Sequence, residues 1–256
     1  MNIELLSIQT LVCSIAYFFA GIVDSITGGG GLITLAVMLT VGIPVHNIIA
    51  TNQCAAFVGT GVGAYKFLRS GKIHRSSALI TLPFAVIGSY CGARLNLLVP
   101  DYFLKVFLLV AVPIIAVFVI TNKSLGEVDR IDEQSGLSIA VWSAAIGLVL
   151  GGHQGLYGAG SGVFFMIAYA ALLKLDLVRA TGNTRFVLAV ASITSVITYT
   201  ASGAVIWAIA LPSAVLYSLG SYLGATLAIK KGAGFIRPVM ICVVILLIVK
   251  LVYDIV

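Results

Sequence analysis

Charge is what this chain has least of. Only 9% of its 256 residues are Asp, Glu, Lys or Arg, against roughly 25% in a water-soluble domain. A mean hydropathy of +1.13 agrees, and a soluble fold is excluded. Cysteine is almost as scarce. Cys13, Cys54, Cys91 and Cys242 all lie in apolar stretches, and none forms a Cys-x-x-Cys pair. That pattern leaves no disulfide framework and predicts buried, inert thiols. Nucleotide fingerprints are missing too. Neither Gly28 nor Gly158 opens a complete Gly-x-Gly-x-x-Gly, and Gly-x-x-x-x-Gly-Lys-Ser/Thr occurs nowhere, so ATP-driven transport by this chain alone is not expected. The first residues, Met-Asn-Ile-Glu, lack the basic region and small-residue cleavage site of a signal peptide, and a first membrane segment is expected there. The net charge of +6 could suggest nucleic acid. The basic residues, however, sit in short loops between apolar runs, which is membrane topology.

What the chain does have is apolar runs. Ten can be marked: 3–20, 32–42, 47–68, 77–96, 103–121, 138–150, 162–174, 180–200, 208–228 and 236–253. A helix needs about 20 residues to cross the bilayer, so 32–42, 138–150 and 162–174 are expected to be short. The expected fold is an all-α polytopic membrane protein with about eight to ten membrane segments, some broken or re-entrant. The lipid bilayer is its surroundings, nucleic acid is not a partner, and neither a cofactor nor a metal is expected. A homo-oligomer is compatible with the sequence.

The runs repeat. Ser70-Gly71, Ala78-Leu79 and Gly88-Ser-Tyr-Cys-Gly-Ala-Arg-Leu95 reappear at one constant spacing as Ser202-Gly203, Ala210-Leu211 and Gly220-Ser-Tyr-Leu-Gly-Ala-Thr-Leu227. Ile49-Ala-Thr-Asn52 is answered by Arg179-Ala-Thr-Gly-Asn183, and the glycines 28–31 by Gly158-Ala-Gly-Ser-Gly162. The expected organisation is a first repeat over 1–121, a cytoplasmic connector over 122–137 and a second repeat over 138–256. Charge gives their relative orientation. Lys66, Arg69, Lys72 and Arg75 crowd one loop, whereas its counterpart from Thr200 to Trp207 has no basic residue. Lys230, Lys231 and Arg237 answer a first-half stretch, Asn96 to Tyr102, that has none. Basic loops face the cytoplasm, so equivalent loops are expected on opposite sides, as in an inverted repeat.

Two glycine runs interrupt the apolar pattern, and each glycine costs about 1 kcal/mol relative to alanine inside a helix. Broken backbone survives at membrane depth only where protein or a cavity satisfies its polar groups. Short helices starting after Gly28, Gly29, Gly30 and Gly31, and after Gly158, Gly160, Ser161 and Gly162, would aim their positive ends at one point. Two such ends facing each other form an anion cradle. The competing reading is close helix packing, which is the reading adopted for Gly88/Gly92 and Gly220/Gly224. Around the breaks, Arg185 can hold an anionic oxygen through two N–H groups. Asp24 and His153 can carry a coupling proton. Thr51, Asn52, Thr181 and Asn183 can donate hydrogen bonds without adding charge, with Gln53 and Gln154 as weaker candidates. Alternatively, Asp24 and Arg185 form a structural ion pair, His153 is a structural histidine, and the polar side chains bond between helices. His46 and His74 fall in predicted loops and read as surface residues.

The stretches GIVDSITGGGGLITL (21–35) and GIPVHNIIATN (42–52) resemble the TauE/SafE sulfite-exporter family, also called the 4-toluene sulfonate uptake permease family. The resemblance runs from about Phe19 to the C-terminus, with GLYGAGSG (155–162) and RATGN (179–183) as the looser second copy. It implies a bacterial inner-membrane transporter of small, mostly sulfur-containing anions such as sulfite or sulfonates. The resulting expectation is a proton-coupled secondary transporter of a sulfite-, sulfonate- or organic-anion-like substrate, working by alternating access. A passive anion channel on the same scaffold is an alternative. An intramembrane serine hydrolase is another, because Ala159-Gly-Ser-Gly162 nearly spells Gly-x-Ser-Gly with His153 close by.

Overall fold

A computed structural model of the chain describes residues 3–100 and 126–253, apart from some side chains near the ends. The apolar run 103–121 lies outside the described residues. The described ones form nine α-helices and no strand. They are α1 (Ile3–Thr27), α2 (Gly30–Thr40), α3 (Val45–Arg69), α4 (Arg75–Asn96), α5 (Gly136–Leu156), α6 (Ser161–Leu172), α7 (Leu177–Ala201), α8 (Trp207–Lys231) and α9 (Ala233–Tyr253). Five of these helices are long and apolar enough to cross a membrane. Run 138–150 is longer than its apolar letters indicate, because α5 has 21 residues and continues through Gly151 to Leu156. Only α2 and α6 are short, with 11 and 12 residues.

Both short helices fold back along the helix before them. Tyr17 of α1 bonds Met38 near the end of α2, while Asp24 bonds Gly30 at its start. Likewise Gln134, just ahead of α5, bonds Leu172 at the end of α6, while His153 meets Ser161 at its start. The chain therefore contains two re-entrant hairpins, α1/α2 and α5/α6.

Side-chain and backbone contacts fix the direction of each long helix. Gly59 and Gly63 of α3 lie against Tyr217 and Ser221 of α8, and Gly220 and Gly224 of α8 lie against Phe18 and Ile22 of α1. Hence α1, α3 and α8 run one way. Gly147, Gly151 and Gly155 of α5 follow Thr81, Ala85 and Ser89 of α4. Ser77 and Ser89 of α4 bond Asn183 and Ser195 of α7. Hence α4, α5 and α7 share a direction. It is opposite to the first, since Cys54 of α3 meets Thr200 of α7 while Phe67 meets Gly182. Each long helix of the first half runs against its counterpart: α1 against α5, α3 against α7, α4 against α8.

Small residues allow these contacts. Gly88 and Gly92 press on α5, and Gly220 and Gly224 press on α1, each so closely that an added Cβ would strike backbone. Serines bond across the seams, with Ser25 and Ser221 2.6 Å apart and Ser89 and Ser195 2.6 Å apart. With no hydrophobic drive between helices in lipid, close packing and such bonds supply the attraction. Apolar side chains elsewhere turn outward, among them Leu79, Leu148, Ile197, Leu211 and Val215, where acyl chains cover them. Cys13 and Cys54 are buried, but Cys91 and Cys242 face outward with these residues rather than into the core.

One end of the bundle carries the basic α3–α4 loop, the end of α8 and the polar connector. The connector is tied down there: Leu177 N–H donates to the Gly126 carbonyl at 3.0 Å and Arg179 pairs with Asp129 at 2.8 Å. The charge rule predicts that this end faces the cytoplasm. A membrane-impermeant maleimide should label Ser70→Cys only from the cytoplasmic side and Ser202→Cys only from the opposite side. Labelling of both from one side would contradict the opposed helix directions.

Candidate functional site

The two hairpin breaks meet. Gly28 adopts φ +85° and its counterpart Gly158 φ +76°, conformations that favour glycine. Gly28 sits directly on the Gly162 backbone, where a Cβ on Gly162 would lie 2.5 Å from the Gly28 Cα. Reciprocally, Gly31 abuts Ala159. All of Gly28, Gly29, Gly30, Gly31, Gly160, Ser161 and Gly162 are buried, and Gly158 is half-buried. The N-termini of α2 and α6 thus converge inside the protein, each bringing roughly half a positive charge.

Beside this junction lies a buried ion pair. Arg185 is 0% exposed and Asp24 8%, and Arg185 Nη1 donates to Asp24 Oδ2. Tyr217 Oη donates to the same oxygen. The other carboxylate oxygen accepts the Gly30 N–H at 3.1 Å. Asp24 therefore ties α1 to α2, α7 and α8 at once. Arg185 is less satisfied than its partner: Nε and Nη2 are buried with no hydrogen-bond partner in the protein. Leaving a buried donor unmade costs about 1–3 kcal/mol, more for a charged group. Two helix ends and one guanidinium gather here with a single carboxylate, so the junction has a deficit of negative charge.

The second hairpin carries an uncharged version of the same arrangement. At the spacing that carries Ser70 onto Ser202, Gln53 falls on Arg185. At the spacing that carries Gly28 onto Gly158, Gln154 falls on Asp24. Gln53 and Gln154 bond each other, through Gln53 Nε2 to the Gln154 carbonyl at 2.5 Å and Gln154 Nε2 to Gln53 Oε1 at 3.0 Å. Gln154 also reaches Ser192 at 3.2 Å. His153 Nδ1 lies 2.7 Å from Ser161 Oγ, joining α5 to the start of α6 as Asp24 joins α1 to α2.

The remaining polar candidates divide. Asn52 is at the junction: its Oδ1 accepts from Thr34 at 2.6 Å, and its amide nitrogen faces Gly31. Thr51 and Asn183 are counterparts at the longer spacing, and both are placed away from Arg185. Thr51 Oγ1 accepts the Ile206 N–H at 3.0 Å, and Asn183 Oδ1 accepts the His74 N–H at 2.8 Å. Each secures the residue that precedes a helix of the other half, namely α8 and α4. Thr181 bonds its own helix at Leu177, 2.7 Å away. His46 lies within α3, half-buried and 3.3 Å from Asn96, rather than in a loop. His74 caps α4, and burial, then the Arg179 charge, hold its imidazole below the ordinary range. Tyr217 was not legible as a site residue, because its first-half counterpart is Ala85 and it stands alone in an apolar helix.

A family model described as "Sulfite exporter TauE/SafE" matches residues 13–251. The chain belongs to the TauE/SafE family of membrane transporters. Similar proteins match it over most of both chains. "Probable membrane transporter protein ORF9" of Sinorhizobium sp is 30% identical over 94% of this chain and 91% of its own. "Probable membrane transporter protein YfcA" of Escherichia coli K12 is 30% identical over 98% of this chain and 93% of its own. "Probable membrane transporter protein YdhB" of Bacillus subtilis is 28% identical over 86% and 94%. No solved structure matches the chain. With bacterial relatives and, among the described residues, five helices long and apolar enough to span, the TauE/SafE protein is a multi-pass inner-membrane protein.

The buried pair generates a stability prediction. Asp24→Ala should cost about 3–5 kcal/mol by stranding the Arg185 charge. The double variant Asp24→Ala/Arg185→Ala should be less destabilised than the two single losses added. Thermal unfolding of the four proteins in one detergent measures the cycle, and strict additivity would mean that the two side chains do not interact.

Proposed function

We propose that this TauE/SafE protein is a secondary transporter that moves a small oxyanion by alternating access between two inverted halves. The single observation that carries the reading is the buried edge of Arg185, Nε and Nη2, left without a partner in the protein. A guanidinium edge of that kind matches two oxygens of one anionic group. The convergent N-termini of α2 and α6 favour the same charge, and the opposed helix directions support inversion. The family description extends the reading to sulfite, sulfonates and related sulfur-containing or organic anions.

Asp24 supplies the coupling. An ionised Asp24 on Nη1 of Arg185 repels a second anion at the neighbouring Nε/Nη2 edge. A protonated Asp24 no longer repels it, and the oxyanion settles on that edge with the proton aboard. Proton and anion then cross together, and loss of the proton on the far side restores the ion pair and expels the anion. His153 is the second candidate for a proton, held against Ser161 at the other break. Gly28, Gly29, Gly30, Gly31 and Asn52 line one side of the proposed cradle, with Gly158, Gly160, Ser161 and Gly162 on the other. Thr51, Thr181 and Asn183 serve the frame in this reading.

The Ser161–His153 contact of 2.7 Å is the observation on which a hydrolase reading would stand. Both groups are buried, with Ser161 at 0% exposure, and the bond spans the second hairpin as the Asp24–Gly30 bond spans the first. A structural staple accounts for it without chemistry.

Two experiments separate these readings. In proteoliposomes with an imposed proton gradient, Asp24→Asn should abolish driven uptake of sulfite or a sulfonate, while counterflow down the anion's own gradient persists. Undiminished driven uptake would remove Asp24 from the coupling step, and flux that does not saturate would favour a channel. A fluorophosphonate probe should leave Ser161 unlabelled in the folded protein, and covalent labelling there would favour a hydrolase.

A further inference from the structure

The cytoplasmic end of the α3/α8 pair carries a recess that the transport cycle does not use. Its volume is about 500 Å³, and its lining includes Tyr65, Lys66, Arg69, Tyr222, Thr226 and Lys230, with no acidic residue. The cations are organised rather than scattered. Lys66 Nζ stands 3.6 Å over the Tyr222 ring and bonds Thr226, and Arg69 lies 5.3 Å over the Tyr65 ring. Lys230 closes the rim at the last turn of α8. Cation–π stacking holds the Lys66 and Arg69 heads in place.

The duplication supplies an internal comparison. The same helix pair in the other half, α7 with α4, carries Thr198 where the recess has Lys66, Ala201 for Arg69 and Leu98 for Lys230. The fold is shared, and the triple positive charge is confined to one end. Topology calls for positive charge at this end, but not for three cations converging on one cavity between two stacked tyrosines. The recess also opens outward rather than toward Arg185: Tyr65 and Tyr222 are 56% and 52% exposed, and Val58, Leu219 and Leu223 continue the same outer faces toward the bilayer interior as exposed apolar residues. A ligand here is offered phosphate-binding cations at one end and an apolar strip along α3 and α8.

We propose that this recess binds the phosphate head of an anionic phospholipid of the cytoplasmic leaflet, with Lys66, Arg69 and Lys230 on the phosphate and the acyl chains along Val58, Leu219 and Leu223. Basic pockets between membrane helices on this side hold such heads by charge. Tyrosines at the headgroup level suit the boundary between polar head and acyl chain. The site is separate from the oxyanion cradle and stands or falls without it.

Native mass spectrometry of the full-length protein, after exposure to vesicles of dioleoyl-phosphatidylglycerol or dioleoyl-phosphatidylcholine, tests the assignment. Wild type should retain the anionic lipid selectively. Arg69→Gln/Lys230→Gln, both at exposed positions, should weaken that retention about thirtyfold, the loss expected for two interfacial cations. Arg94→Gln, at the opposite end, should leave it unchanged. Equal retention of the two lipids by wild type would overturn the proposal, and that comparison needs no variant. So would full retention by Arg69→Gln/Lys230→Gln. Complete displacement of the lipid by inorganic phosphate would reassign the recess to a soluble anion and overturn the lipid assignment.

Discussion

A guanidinium buried among membrane helices has to be answered by something other than water, and Arg185 is answered only in part. Asp24 takes one nitrogen, and the rest of the guanidinium faces no acceptor. Much of the surrounding architecture bears on that contact. The first hairpin must turn at Gly28 so that Asp24 and the Gly30 N–H come together. Helices α7 and α8 must pack closely enough for Arg185 and Tyr217 to reach one carboxylate oxygen. A buried pair of this kind contributes little net stability, because desolvation offsets the attraction. It does specify geometry, since other hairpin positions would strand a charge.

The sequence made much of this readable, and physics explains both the success and the gaps. Nine of the ten apolar runs correspond to the described helices, because hydropathy along a membrane helix needs no tertiary information. Hydropathy ends run 138–150 too early because Gly151, Gly152, His153 and Gln154 interrupt its apolar letters. In the structure, glycines in that stretch face α4, so the helix continues where packing rather than hydropathy sustains it. The proximity of Asp24 and Arg185 is legible in the sequence, since charges in apolar helices rarely stand alone. Their third partner is not. Tyr217 looks like any aromatic in a membrane helix until its hydroxyl is seen on Asp24.

Spacing proved more informative about roles than residue type. Thr51 and Asn183 differ chemically, yet they fall at equivalent positions and do the same work, each gripping the residue ahead of a helix in the opposite half. The motif Ala-Thr-Asn drew attention to a Thr and an Asn as a set. The duplication separates them, placing Asn52 at the junction and Asn183 in the frame. Exchange of helices between halves, with α1 lying on α8 and α5 on α4, makes neither half complete alone. That interlocking explains why the polar clamps run from one half to the other instead of within each.

The pairing of Gln53 with Gln154, where the other half has Arg185 with Asp24, has a consequence of its own. In a carrier whose halves trade shapes, two chemically identical halves would make the inward- and outward-open forms degenerate. In the proposed alternating-access cycle, one form would strain an ionic contact and the other a neutral amide contact, so the two would differ in energy even without cargo. A carrier of that kind, asymmetric at its charged pair, would have a preferred side on which to wait.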